Sequence, residues 1–323
     1  MHTLKTLQDL FLEALNKQSF TGYPPSLYEP VDYIMHLGGK RVRPVLALIA
    51  CDLFGKNPIK ALPAAMAVEI FHNFSLVHDD IMDDAPLRRG QPTVHEKYSA
   101  NTAILSGDVM LVKAYQALEQ VADPRQKSDL FKIFSQVAVE VCEGQQMDMD
   151  FEKREAVAIQ EYIKMIELKT AALLAGSLQM GAILADASPK EVDTLGQVGR
   201  NIGIAFQLQD DYLDTFGDPA FFGKKVGGDI VQNKKTYLFL KALEVANETQ
   251  KEELRHCYFE YQGLEADKIN QVKSIFESLG IPSVSKELMQ TYQSRALKLL
   301  ESLSPTRKEL LLGLIDDLMV REI

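Results

Sequence analysis

Two copies of one acidic pattern carry the most explicit chemistry in this chain: Asp79-Asp80-Ile81-Met82-Asp83 and Asp210-Asp211-Tyr212-Leu213-Asp214. Each follows an apolar, helix-compatible run. At about 100° per residue, the first and fifth positions share one helical face and the second lies about 100° round. Each copy can therefore aim several carboxylates at one point. Like charges gathered this way repel unless a cation neutralises them, and hard oxygen ligands suit Mg²⁺ with phosphate oxygens completing its shell. Two such faces imply a site for several metal ions and a diphosphate.

Basic residues are placed to match. Gly38-Gly39-Lys40-Arg41-Val42-Arg43-Pro44 puts three cations at the start of a helix, where the macrodipole favours an anion. Pro86-Leu87-Arg88-Arg89-Gly90 follows directly on the first acidic pattern. Its guanidiniums suit multidentate phosphate recognition, and pairing with Asp83 or Asp84 is the plainer alternative. His72, one to two turns before Asp79, lies near these cations, whereas His78 and His95 get no such support. Leu168-Lys169-Thr170 opens an apolar stretch running to Ala185, and a lysine beside buried sequence needs an anionic partner. Gln207 comes about one turn before Asp210 and Asp211, so its amide can hold a phosphate oxygen or face a developing cation. The segment Phe222 to Asp229, with Lys224 and Lys225 between glycines, can close over phosphate. Asp148, Asp150 and Glu152 alternate by two, a spacing that scatters carboxylates around a helix; they read as solvated surface with no metal.

The elements that must hold these groups are helical. Apolar residues recur at helical spacing in Leu4-Leu7-Leu10-Phe11, Phe131-Phe134-Val137 and Ala296-Leu299-Leu300-Leu303, and Gly and Pro punctuate the breaks. No convincing run of alternating strand residues is present, so the fold class is all-α, a bundle of ten or more helices. Ala61 to Phe74 and Ala171 to Ala185 are apolar on nearly all sides and belong at its centre. With acidic patterns on two helices, such a bundle can house a cavity with a charged mouth, suited to an amphipathic substrate.

The 323 residues carry no linker or low-complexity tract, which favours a single domain, 1–323. A net charge of -10 and a pI near 5.2 argue against nucleic acid. Cys51, Cys142 and Cys257 are widely spaced among apolar residues and read as buried free thiols in a reducing compartment. Residues 1–20 lack the apolar core of a signal peptide, and the stretch to Ala185 falls short of a membrane span. A cytoplasmic protein with no membrane span is the expectation.

Taken in order, Gly38 to Pro44, Asp79 to Gly90, Lys169-Thr170, Gln207 to Asp214 and Lys224 to Asp229 closely resemble the trans-type, head-to-tail isoprenyl diphosphate synthases. That resemblance implies an isoprenoid-synthase helical bundle around a central elongation cavity, usually a homodimer, using three Mg²⁺ ions with substrate bound to extend allylic diphosphates of C5 to C15 with isopentenyl diphosphate. It implies that Lys40, Arg43, His72 and Arg89 bind isopentenyl diphosphate, and that Arg88, Lys169, Thr170, Gln207 and Lys224 hold the allylic diphosphate. Asp79, Asp83 and Asp210 resemble the principal magnesium ligands, with Asp80, Asp211 and Asp214 in support through direct or water-mediated contact. Catalysis would then fall to Asp79, Asp80, Asp83, Lys169, Thr170, Gln207 and Asp210.

In this family, bulk on the helix carrying the first pattern sets product length. Phe74, five residues before Asp79, would partly floor the tunnel, while Ser75, four before, leaves a gap. One aromatic at the fifth position, without an insertion between the aspartates, goes with geranylgeranyl diphosphate, C20. The alternatives are a farnesyl diphosphate (C15) synthase, a class I terpene cyclase, or a non-catalytic regulatory subunit of a synthase. A different helix could also set the floor, leaving Phe74 as ordinary core.

Overall fold

The structure is a computed structural model and describes residues 2–218, 226–304 and 307–319. The expected all-α class is what it shows: the described residues are overwhelmingly helical, and their one sheet is a two-residue hairpin. The chain forms two compact units, Met1–Gln136 with Gly176–Gly196 and Leu303–Leu311, and Val137–Ala175 with Gln197–Ser302 and Leu312–Ile323.

The first unit contains helices Leu4–Lys17, Pro25–His36, Val42–Leu53, Leu62–Met82, Val94–Lys97 and Ala100–Glu119. Leu62–Met82 carries the first acidic pattern at its C-terminal end and is buried on nearly all sides from Ala64 to Val77, as its apolar composition requires. It packs against Ala100–Glu119 and Val42–Leu53. Gly107 permits the close approach, because a Cβ there would stand 2.2 Å from His78 Nε2. After the pattern, Leu87–Arg88 pairs antiparallel with Gln91–Pro92 through a turn in which Arg89 and Gly90 have φ of 53° and 75°. Strands this short leave no alternation to read, which is why the sequence shows no strand signal here.

The second unit contains the C-terminal part of Pro124–Lys153 and of Pro189–Phe216, with Ile159–Ile166, Gly228–Val231, Tyr237–Val245, Glu248–Phe259, Glu265–Ser278 and Ile281–Ser302. Its core gathers Leu208, Tyr212, Phe239, Tyr258 and Phe276, with the Phe239 and Tyr258 rings 4.0 Å apart. Lys169 and Thr170 do not simply open an α-helix. They sit in a π-helical turn, Glu167–Ala171, between Ile159–Ile166 and Ala172–Leu184. Such turns re-aim side chains within an otherwise regular helix.

Two glycines press on that turn. A Cβ on Gly144 would lie 2.3 Å from the Lys169 nitrogen, and one on Gly203 would lie 2.4 Å from the Ala171 Cα. The three cysteines form no disulfide, and one departs from expectation: Cys51 and Cys257 are buried, but Cys142 is exposed. The apolar residues beside Cys142 in sequence point to other sides of its helix.

Because the atoms facing Gly144 are backbone, they cannot swing aside. Gly144→Ala should destabilise the protein by about 1–3 kcal/mol through overpacking, although alanine in an open helix would gain about 1 kcal/mol. Chemical denaturation midpoints check the sign.

Candidate functional site

The second unit encloses a cavity of about 210 Å³ whose lining includes Asp148, Lys169, Thr170, Gln207, Asp210, Asp211, Asp214, Asp229, Lys234 and Lys235. The second acidic pattern reaches it because it occupies the last turns of Pro189–Phe216. Asp229 joins from the next segment, where the left-handed Gly227, φ 89°, turns the chain and donates its N–H to the Asp214 carbonyl at 2.6 Å. The Asp229 N–H then donates to Asp214 Oδ2 at 2.9 Å.

One polar chain runs through this wall. Thr170 Oγ1 donates to Gln207 Oε1 at 3.0 Å, and Gln207 Nε2 donates to Asp211 Oδ1 at 2.9 Å. The Tyr162 hydroxyl donates to Asp211 Oδ2. Burial pushes the Asp211 carboxyl well above the usual carboxylate range, and the Asp229 and Asp210 charges push it the same way against those two hydrogen bonds. Burial, together with Asp211, also lifts the Tyr162 phenol well above its ordinary value, so it remains a donor. Lys169 Nζ meets Asp148 Oδ2 at 2.6 Å. The aspartates of this lining crowd negative charge and offer oxygen alone, the ligand type of a hard divalent cation. The residues present therefore fit Mg²⁺.

The first unit holds a cationic cluster. Arg41, at the left-handed cap of Val42–Leu53, is buried and pairs with buried Glu69 while donating to the Met35 carbonyl at 2.7 Å. Arg43 Nη1 donates to His72 Nε2 at 3.2 Å, which places the ring's proton on Nδ1. Burial holds His72 well below the ordinary imidazole value, and Arg43, Arg89, Arg88 and Arg41 all act in that direction. Burial likewise lowers Arg43 to about 10, with Glu69 opposing and Arg89 adding to the shift. Arg89 Nη1 donates to the Gly38 carbonyl, and the left-handed Gly39, φ 122°, leaves room for the guanidinium: a Cβ there would lie 2.9 Å from Arg89 Cζ. Among the described residues neither Arg43 nor Arg89 has a carboxylate within ion-pair distance. Positive charge thus exceeds its local neutralisation, the condition for binding an anion. Lys40 is exposed at the edge of this segment.

Within each unit the acidic patterns divide their labour in the same way. Asp80 is buried and accepts from Arg88 Nε at 3.0 Å and from Nη2 at 2.5 Å. Asp79 is half-buried and Asp83 exposed. Asp211 is buried and doubly bonded, while Asp210 and Asp214 are half-buried in the cavity lining. Arg88 thus does pair with a carboxylate, but with Asp80 rather than the expected Asp83 or Asp84.

Phe74 packs at 8% exposure, its ring 5.4 Å from Phe71 and 4.8 Å from His78. Ser75 Oγ is turned back to the His72 carbonyl at 2.9 Å. Lys224 and Lys225 lie outside the described residues. Asp148 overturns its reading as solvated surface: it is half-buried, lines the cavity and holds Lys169. Sequence spacing could not show this, because the partner is 21 residues away. Tyr162 and Lys235 were also missed. The latter is buried, and its Nζ donates to the Phe151 carbonyl at 2.8 Å.

The family model described as Polyprenyl synthetase matches residues 24–279. The short chain isoprenyl diphosphate synthase of Methanothermobacter thermautotrophicus is 41% identical over 254 residues, 79% of this chain and 78% of that one. The geranylfarnesyl diphosphate synthase of Natronomonas pharaonis is 38% identical over 73% of this chain and 74% of its own. A crystal structure of a geranylgeranyl pyrophosphate synthase superposes with a TM-score of 0.95 at 47% identity, covering 100% of both chains. A Corynebacterium glutamicum geranylgeranyl pyrophosphate synthase, solved with isoprenyl diphosphate and magnesium, gives 0.85 at 27% identity over 99% of this chain and 98% of that one. On its sequence and its fold, this chain belongs to the polyprenyl synthetase family.

Proposed function

We propose that this protein is a magnesium-dependent prenyltransferase that condenses isopentenyl diphosphate with allylic diphosphates and yields geranylgeranyl diphosphate. The observation that carries the reading is a cavity lined together by Asp210, Asp214, Asp229, Lys169, Thr170 and Gln207, in a chain of this family. The family model's match includes residues of both compact units, which supports one synthase domain spanning 1–323.

In this reading the second unit receives the allylic diphosphate. Asp210, with Asp214, would hold metal there, as would Asp79 and Asp83 in the first unit. Asp80 and Asp211, committed to Arg88 and to Tyr162 and Gln207, support these ligands by fixing their helices. Bound Mg²⁺ supplies Lewis-acid charge to a departing diphosphate. Lys169 would exchange Asp148 for a diphosphate oxygen, and Lys224 is proposed to join it. The allylic C–O bond then breaks with its electron pair leaving on diphosphate. Thr170 and Gln207 would face the resulting cation with fixed dipoles, which stabilise charge without reacting. Arg43, His72, Arg89 and Lys40 would position isopentenyl diphosphate, whose double bond attacks the cation. Loss of a proton to the released diphosphate completes the new allylic chain, and no protein nucleophile is consumed.

Relatives are named for C20 and for geranylfarnesyl products, so length varies among similar proteins. Phe74, packed against Phe71 and His78, is proposed to limit the growing chain. Ile104, Leu105 and Val112 leave one helix of the first unit with an apolar exposed stripe, which supports a homodimer. Among the described residues no helix is long and apolar enough to cross a membrane; a cytoplasmic location is proposed with it.

Product analysis of the purified protein given isopentenyl diphosphate and C5, C10 or C15 starters tests the function. A dominant C20 product is expected, with chelation of Mg²⁺ lowering the rate about a thousandfold. No metal-dependent product from any starter would remove the reading. In the same assay Phe74→Ala should lengthen the product by at least one five-carbon unit, and an unchanged length would return Phe74 to ordinary core.

His72 gives a pH prediction. Its unfolded form takes up a proton near pH ~6.5, whereas the folded form resists protonation. Below that pH the unfolded state binds more protons, so stability should fall as pH falls. Denaturation midpoints measured between about pH 8 and 5 should show this slope in the wild type, reduced in His72→Gln.

A further inference from the structure

Apart from the aspartate clusters and the cationic group, the first unit buries an imidazole that no described residue satisfies. His95 lies in the short helix Val94–Lys97, and its side chain is 8% exposed. Among the described residues neither of its ring nitrogens has a hydrogen-bond partner. A neutral imidazole carries one N–H and one lone pair, and burying both unmet incurs their full desolvation penalty. The Glu96 carboxylate stands 3.7 Å from His95 Nε2, beyond hydrogen-bond reach. Asp84 completes the group: one ligand atom from each of Asp84, His95 and Glu96 lies within 4.8 Å of the others.

That spacing is close to what an ion would impose. A tetrahedral ion with ligands at about 2.1 Å holds them about 3.4 Å apart. Asp84 and Glu96 are exposed, so their carboxylates can close the remaining ångström or so by rotation, while His95 is already packed in place. The donor set also differs in kind from the aspartate cavity. One imidazole nitrogen with two carboxylates suits ions of intermediate softness, whereas Mg²⁺ takes oxygen alone.

We propose that Asp84, His95 and Glu96 form a binding site for a divalent transition ion of the Zn²⁺ type, distinct from the oxygen-lined magnesium sites. Three protein ligands leave room for one water or other external ligand. An ion here ties the residue that follows the first acidic pattern to the helix that follows the Arg88–Arg89 hairpin. It thereby pins both ends of the segment from Asp84 to Glu96. The site is independent of the enzymatic reading, because it needs neither substrate nor turnover.

Co²⁺ is the probe for the test, titrated into the full-length protein with Mg²⁺ in excess and no diphosphate present. The expected result is one Co²⁺ per chain with visible ligand-field bands and paramagnetically shifted His95 ring resonances, displaced by Zn²⁺. Glu96→Gln, an exposed position, should weaken this binding at least tenfold, as should His95→Gln. If His95→Gln does not fold, Asp84→Asn takes its place beside Glu96→Gln. Co²⁺ binding unchanged in these variants would place the ion at other carboxylates and overturn the proposal. So would no Co²⁺ uptake at all, which would leave His95 served by an ordered water only.

Discussion

Each acidic pattern depends on a buried second aspartate whose partner is supplied by the protein itself. Asp80 is held by Arg88, and Asp211 by Tyr162 and Gln207. Burial raises the pKa of both carboxyls against these hydrogen bonds. The bonds themselves become a pin that sets the rotation of each helix. With the second position turned inward, the first and fifth positions lie toward the more accessible side, Asp79 with Asp83 and Asp210 with Asp214. The placement of the accessible carboxylates is thus a consequence of where one buried carboxyl finds its donors.

The same economy recurs around the reacting groups. The π turn Glu167–Ala171 and the glycines at 144 and 203 bring Lys169 and Thr170 against neighbouring helices. Thr170 then fixes the amide of Gln207 by taking its oxygen, which leaves the nitrogen for Asp211. In the first unit Glu69 neutralises Arg41 deep in the core, while among the described residues Arg43 donates to an imidazole and Arg89 to a carbonyl. Charge is balanced where it supports the fold and left in excess where a substrate diphosphate would bind.

Much of this was legible in the sequence, because helical period, acidic repeats and basic motifs are all local signals. The two patterns, the cations at residues 40, 43, 88 and 89, and Lys169, Thr170 and Gln207 each announce themselves within a few residues. What stayed hidden is long-range. Asp148 looked like surface because its partner Lys169 comes from another helix. Tyr162 carries no motif at all, and its role exists only through Asp211, 49 residues away. The π turn has no hydrophobic period of its own, and a hairpin of two-residue strands is too short to alternate. Cys142 shows the opposite failure, since apolar neighbours in sequence need not be neighbours on a helix face.

In the proposed function, Asp210 binds metal while Asp211 holds the helix that presents it. Calorimetric titration of inorganic diphosphate into the protein, with and without Mg²⁺, tests this most directly when wild type is compared with Asp210→Asn and Asp211→Asn. The account predicts that diphosphate binds wild type only with Mg²⁺. It further predicts that Asp210→Asn abolishes this binding without loss of stability, and that Asp211→Asn retains it but shifts the unfolding midpoint. Equal loss of metal-dependent binding in both variants at unchanged stability would contradict it, as would diphosphate binding that ignores Mg²⁺.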